Sequence, residues 1–114
     1  MEVYIKMKNN THHIVKNRDI IWSENGDKRG DIATLWQQTN TGSSAYLLRY
    51  MSTNKILLKP HSGQVVVYIA EGDISINNQV LNTGDYVIIL KYDELKTTIV
   101  TKEGCKLFIY NKPS

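Results

Sequence analysis

The chain has 114 residues, 41% of them hydrophobic and 22% charged, with a formal net charge of +3. That length fits one domain, the hydrophobic share excludes a disordered chain, and no apolar run approaches the ~18 residues of a membrane span. The single cysteine, Cys105, excludes an internal disulfide and a cysteine-rich zinc site, and it implies a reducing compartment, the cytoplasm.

Ile, Val and Thr supply 30 residues against 3 Ala, a bias toward branched side chains that suit a pleated surface and crowd a helix. Met1-Glu2-Val3-Tyr4-Ile5-Lys6 carries an acid and no apolar core, so it does not read as a secretory leader. Val3 to Lys8 alternates like a strand and stops at Asn9-Asn10. Asp19 to Trp22 precedes a polar stretch, Ser23 to Gly30. Ile32 to Gln37 and Ala45 to Met51 read as strands separated by the turn Thr39 to Gly42, and Lys55 to Lys59 follows the turn Ser52-Thr53-Asn54.

Pro60-His61-Ser62-Gly63 breaks that run, because Pro donates nothing to a ladder. Gln64 to Ala70 is a near-continuous apolar strand ending at Glu71-Gly72. Ile74-Ser75-Ile76 and Gln79-Val80-Leu81 flank Asn77-Asn78, a pair suited to the positive φ angles of a type I′ hairpin. Asn82 to Asp85 is a further turn, and Tyr86 to Leu90 reads as a buried strand. Asp93 to Lys96 forms one helical turn at most. Thr97 to Thr101 and Cys105 to Tyr110 complete the series, with Cys105, Leu107 and Ile109 on one face as core. Short strands at about 8–12-residue spacing indicate an all-β sandwich or barrel.

Eleven of the 14 basic residues are lysines, scattered singly, and the tightest cluster, Lys28-Arg29, sits between Asp27 and Asp31. Nucleic-acid binding needs cations gathered against successive phosphates, so the chain reads as binding neither nucleic acid nor membrane.

From Lys59 onward the order of features resembles the cupin superfamily. A Pro-His step leads into Val65 to Gly72, then a short hairpin, then Leu81 to Ile89 with its Gly84-Asp85. Glu103 to Tyr110 resembles the final strand of small, single-domain, anti-sigma-factor-type cupins. Ala33-Thr34-Leu35-Trp36 with Leu47-Leu48-Arg49-Tyr50 is similar to the first strands of such proteins. The resemblance covers residues 19–112. It implies a cupin-like jelly-roll β-barrel (an RmlC-like double-stranded β-helix) over 19–112, with residues 1–18 as an N-terminal strand or arm that pairs two chains into a homodimer.

In a gap-free match, the four ligand positions of the family's metal site fall on Lys59, His61, Val65 and Leu95 or Lys96. Only His61 retains ligand chemistry, and a transition metal needs about three protein ligands. The expectation is therefore a barrel without metal or other cofactor that binds a small molecule or acts as a regulatory domain. Lys59, His61, Gln64 and Tyr68 are its pocket candidates, with Lys59 supplying positive charge for an anionic ligand. The alternative is a divergent metal-dependent enzyme (dioxygenase, isomerase or sugar-processing), with His61 joined by His12 or His13 around a divalent transition metal. Adjacent residues on a strand face opposite ways, so only one of that pair joins His61. Whether the protein is an enzyme stays open on these residues.

Overall fold

A computed structural model describes residues 12–59 and 63–113. His61 and the Val3–Lys8 segment lie outside the described residues. After a short 3-10 turn at Asn17–Asp19, nine strands follow: β1 (Ser23–Glu24), β2 (Asp31–Gln37), β3 (Ser44–Tyr50), β4 (Asn54–Ile56), β5 (Gln64–Ile76), β6 (Gln79–Asn82), β7 (Tyr86–Ile89), β8 (Ile99–Thr101) and β9 (Cys105–Lys112). Every pairing among them is antiparallel.

The path through the sheet is β1-β2-β3-β9-β5-β8-β4, with β6 and β7 also on β5. Strand β5 therefore serves two sheets. Its first part, Gln64 to Gly72, pairs with β9, and Val65 to Tyr68 also pair with β7; Asp73 to Ile76 pair with β6, and Ser75 and Ile76 with β8. The bend between the parts coincides with a register shift between Ile69 and Glu71 and with Gly72 at φ +79°. A side chain there would meet the Gly104 and Cys105 backbone, so only Gly fits both the angle and the space. The Thr83-Gly84-Asp85 turn docks on this bend. Gly84 N–H donates to the Ile69 carbonyl at 2.8 Å, Ile69 N–H donates to the Asp85 carbonyl at 2.9 Å, and Thr83 Oγ1 donates to the Gly72 carbonyl at 2.8 Å.

Alternation fills the space between the sheets. Tyr46, Leu48 and Tyr50 of β3, Cys105, Leu107 and Ile109 of β9, and Val65, Val67 and Ile69 of β5 all point inward and are buried, joined by Ile56, Leu58, Ile74 and Ile99. Each such aliphatic side chain contributes roughly 1.5–3 kcal/mol, so the apolar interior carries the fold. The Asn77-Asn78 turn takes φ of 47° and 73°, as its sequence requires.

Within the polar stretch of 23–30, Ser23 and Glu24 pair with Ile32 and Asp31. Two local expectations need correction. The apolar run of 64–70 continues as one strand to Ile76, because the bend at Gly72 keeps the ladder going. Tyr86 to Leu90 is half exposed: β7 pairs only with β5, so Val87 and Ile89 pack on the core while Tyr86, Ile88 and Leu90 face outward.

Candidate functional site

The Val65 side chain is fully buried in the core, at the position where the resemblance places a carboxylate ligand. Strand alternation then turns Gln64 and Tyr68 to the opposite face, where both are exposed. They stand across the sheet wall from the interior and do not converge with Lys59. On that outer face Tyr68 lies between Tyr86 and Phe108, and Val66 lies between Ile88 and Tyr110, which makes an apolar, aromatic surface.

Lys59 is held differently. Leu58 is buried and its N–H donates to the Tyr92 hydroxyl at 3.3 Å, which fixes the chain where β4 has ended. The Lys59 ammonium lies 4.9 Å from the centroid of the buried Tyr46 ring. Desolvation lowers its pKa from the ordinary lysine value.

Leu95 is 92% exposed and Lys96 is also exposed, in the turn held by Lys96 and Thr97 N–H donating to the Asp93 carbonyl. His13 is tied elsewhere: its Nε2–H donates to the Leu35 carbonyl at 2.9 Å, alongside β2. Among the described residues no three His, Cys, Asp or Glu side chains gather as a metal shell. A valine offers no donor atom and an ammonium no lone pair, so the described residues at the family's ligand positions do not fit a transition metal.

Two residues not singled out in the sequence complete the polar end of the interior. Asn111 is 4% exposed and shares its register row with Ser44 on one side and Val65 on the other. Its Nδ2 donates to Ser44 Oγ at 3.2 Å, while its Oδ1 is buried without a hydrogen-bond partner. The Tyr46 hydroxyl, on a residue 1% exposed, is likewise buried and unpartnered. Burial pushes its pKa up to about 12, opposed by the nearby Lys59 backbone and Asn111 side chain. Parity held the signal: Asn111 is the next inward position after Cys105, Leu107 and Ile109, and a polar residue in that phase needs a partner.

The other end of the interior carries polar groups that are paired. The Tyr50 hydroxyl donates to Asp27 Oδ2 at 2.5 Å and accepts from Asn25 Nδ2 at 3.2 Å. A cleft of about 390 Å³ opens nearby between Arg49, Glu71, Glu103 and Lys106. Its cations are occupied: Arg49 meets Asp31 at 3.1 Å and stacks 4.0 Å over the Trp22 ring, and Lys106 meets Glu71 at 3.6 Å. Cys105 is buried and its thiol is pushed up to about 11 by desolvation, so it stays protonated and unreactive as a nucleophile.

Among solved structures, an RmlC-like cupin protein from Ralstonia eutropha JMP134 superposes with a TM-score of 0.72 at 14% identity, over 88% of this chain and 68% of that one. The anti-sigma ChrR of Rhodobacter sphaeroides, in complex with SigE, gives 0.67 at 20% identity; this chain is covered to 85% and spans about half of the other, 52%. The iron(II) form of HppE gives 0.67 at 12% identity, over 93% of this chain and 62% of that one. These likenesses show the cupin fold. Among curated protein sequences none matches. With the Gly84-Asp85 turn, the bent strand shared by two sheets and the inward ladder all in place, and with residues 10–114 matching the ChrR cupin-like domain, the chain belongs to that cupin family.

Proposed function

We propose that the protein is a small-molecule-binding cupin barrel that works without a transition metal. The observation that carries this reading is the replacement of the family's ligand positions by chemistry of another kind: buried Val65 where a carboxylate is expected, and the Lys59 ammonium over Tyr46 where a histidine is expected. A lysine supplies positive charge without a metal ion, and so attracts an anionic ligand. Elemental analysis of untagged protein tests it. The expected result is no stoichiometric transition metal; near-equimolar iron, manganese, nickel or zinc that disappears in His61→Ala sinks the reading.

The second reading is a metal-dependent enzyme, favoured by the likeness to the iron(II) form of HppE. It requires His61 and a second histidine in one shell. His13 would have to give up its bond to the Leu35 carbonyl to join, which counts against it.

A regulatory role through a protein partner is supported by the likeness to ChrR, which is found with a sigma factor. Homodimer formation is supported by the outward aromatic surface of Tyr68, Tyr86 and Ile88, each at least two-fifths exposed. Residues 1–18 then act as the arm that pairs two chains beside the barrel of 19–112. A light-scattering mass of one chain would count against the dimer. A reducing, cytoplasmic setting suits the one buried thiol, and among the described residues no helix is long and apolar enough to cross a membrane.

A further inference from the structure

We propose that β7 is the joint of the homodimer, with residues 85–91 of two copies paired antiparallel about a two-fold axis at Ile88. The proposal rests on the homodimer reading above and gives it a surface and a register.

Among the described residues β1, β4, β6 and β7 each have a strand on one side only. Proteins blunt such edges with brevity, charge, Pro or bulges, because unpaired N–H and C=O groups recruit other strands. Here β1 has two residues, β4 carries Lys55 between Asn54 and Ile56, and β6 is polar at both ends, Gln79 and Asn82. β7, Tyr86-Val87-Ile88-Ile89, has none of these devices. Its outward side chains are also open: Tyr86 is 65% exposed, Ile88 47%, and Leu90, which follows the strand, 71%.

The turn before β7 fixes which backbone groups face the edge. Ile69 N–H donates to the Asp85 carbonyl at 2.9 Å, and antiparallel ladders alternate, so Val87 turns its polar groups toward Val67 of β5. Tyr86 and Ile88 therefore turn theirs toward the open side. A second β7 running antiparallel, with Ile88 opposite Ile88, sets these outward groups face to face.

The side chains match in that register as well. Tyr86 of one copy opposes Leu90 of the other, so the three exposed apolar side chains cover one another on the outer face. Val87 opposes Ile89 on the inner face, where both already pack on the core. Asp85 of one copy opposes Lys91 of the other, on both sides of the axis. Both are exposed, and Asp85 Oδ2 accepts from Asn82 N–H at 2.8 Å, which holds the carboxylate at the head of the strand.

Other registers lose this fit. A slip of one residue sets outward side chains against inward ones. A slip of two sets Asp85 against Ile89 in one direction and against Asp93 in the other. A segment with an acid at its head, a base at its tail and apolar residues between them is complementary to itself in the antiparallel sense. Such a two-fold contact uses both open edges and closes at two copies, so the occupant is a second copy of this chain.

Light scattering of the full chain is expected to give the mass of two copies. Ile88→Lys sets two ammonium groups against each other at the axis and should reduce the mass to one copy, with the circular dichroism spectrum unchanged because the Ile88 side chain is half exposed. Lys91→Glu should weaken the dimer about fivefold, less so in high salt. Ile88→Cys should yield a disulfide-linked dimer under mild oxidation, since directly opposed Cα atoms lie about 5.5 Å apart. Val80→Cys, at a site on β6 that is 64% exposed, should not. A two-copy mass that persists in Ile88→Lys, with no cross-link in Ile88→Cys, overturns this joint and leaves the homodimer reading standing on residues 1–18. A one-copy mass for the parent chain overturns both.

Discussion

Tyr46 and Tyr50 stand four residues apart on one strand, both inward and both almost fully buried, yet their hydroxyls have opposite fates. The Tyr50 hydroxyl donates a hydrogen bond to Asp27 and accepts one from Asn25, and the loop that supplies both partners is closed by Asp27 Oδ1 accepting from the Arg29 and Gly30 N–H groups. That end of the interior is finished. Tyr46 faces Asn111 and Lys59 with no partner made. A satisfied buried network rigidifies a fold, whereas an unsatisfied one costs stability unless something external completes it. The contrast separates an end of the barrel whose buried polar groups are paired from one where they are not.

The largest expected effect breaks the finished end. Gly104 has φ +115°, and a Cβ there would lie 2.6 Å from the Tyr50 carbonyl oxygen and 3.1 Å from the Met51 carbonyl carbon. Both the angle and the backbone clash oppose a side chain, so Gly104→Ala should cost about 3 kcal/mol or more, read as a large drop in urea midpoint or as insoluble protein. Next comes Tyr50→Phe, which strips Asp27 and Asn25 of a shared partner and should cost about 1–2 kcal/mol by urea denaturation.

Acid sharpens the same point. Desolvation raises the Asp27 pKa, but the bonds from Tyr50, Arg29, Gly30 and Asn25 outweigh it and leave the carboxyl below its ordinary 3.8. A depressed folded-state value means that this contribution is present above pH 3.8 and is lost as pH falls through the lower, folded value. Tyr50→Phe should therefore move the acid-unfolding midpoint, followed by circular dichroism, to higher pH.

The smallest effect belongs to the unfinished end. Tyr46→Phe removes a hydroxyl that has no partner, so stability at neutral pH should stay within about 0.5 kcal/mol of the parent or rise. Its phenol ionises near pH 12, so the parent loses stability between the ordinary tyrosine value of 10.0 and that pH, and the variant should lose less of it. A loss of 2 kcal/mol in Tyr46→Phe at neutral pH would erase the distinction between the two ends.

Much of the fold was legible because strands obey a period of two and turns obey residue chemistry. Asn77-Asn78 announced a turn with two positive φ angles, and Cys105-x-Leu107-x-Ile109 announced an inward face. Long-range pairing was not legible: the outer exposure of Tyr86 and Ile88 follows from β7 having a neighbour on one side only, which no local pattern encodes. The site was legible by halves. Lys59 was identified from its place in the family pattern, but Gln64 and Tyr68 were grouped with it, although Val65, which lies between those two, takes the inward phase. Tyr46 lay unmarked within the strand read from Ala45 to Met51, and Asn111 lay beyond the apolar strand read from Cys105 to Tyr110. Both entered view once the register Ser44–Asn111–Val65 was known.

The central place of β9 also sets an order of events during synthesis. It lies between β3 and β5, which are not paired with each other, so residues 105–112 must be made before the larger sheet can close. Until then β3 and β5 each present an open edge and an apolar face, a template for pairing with other nascent chains. The larger sheet thus stays open until that strand is made, and the yield in a cell depends on how quickly it finds the two strands made before it.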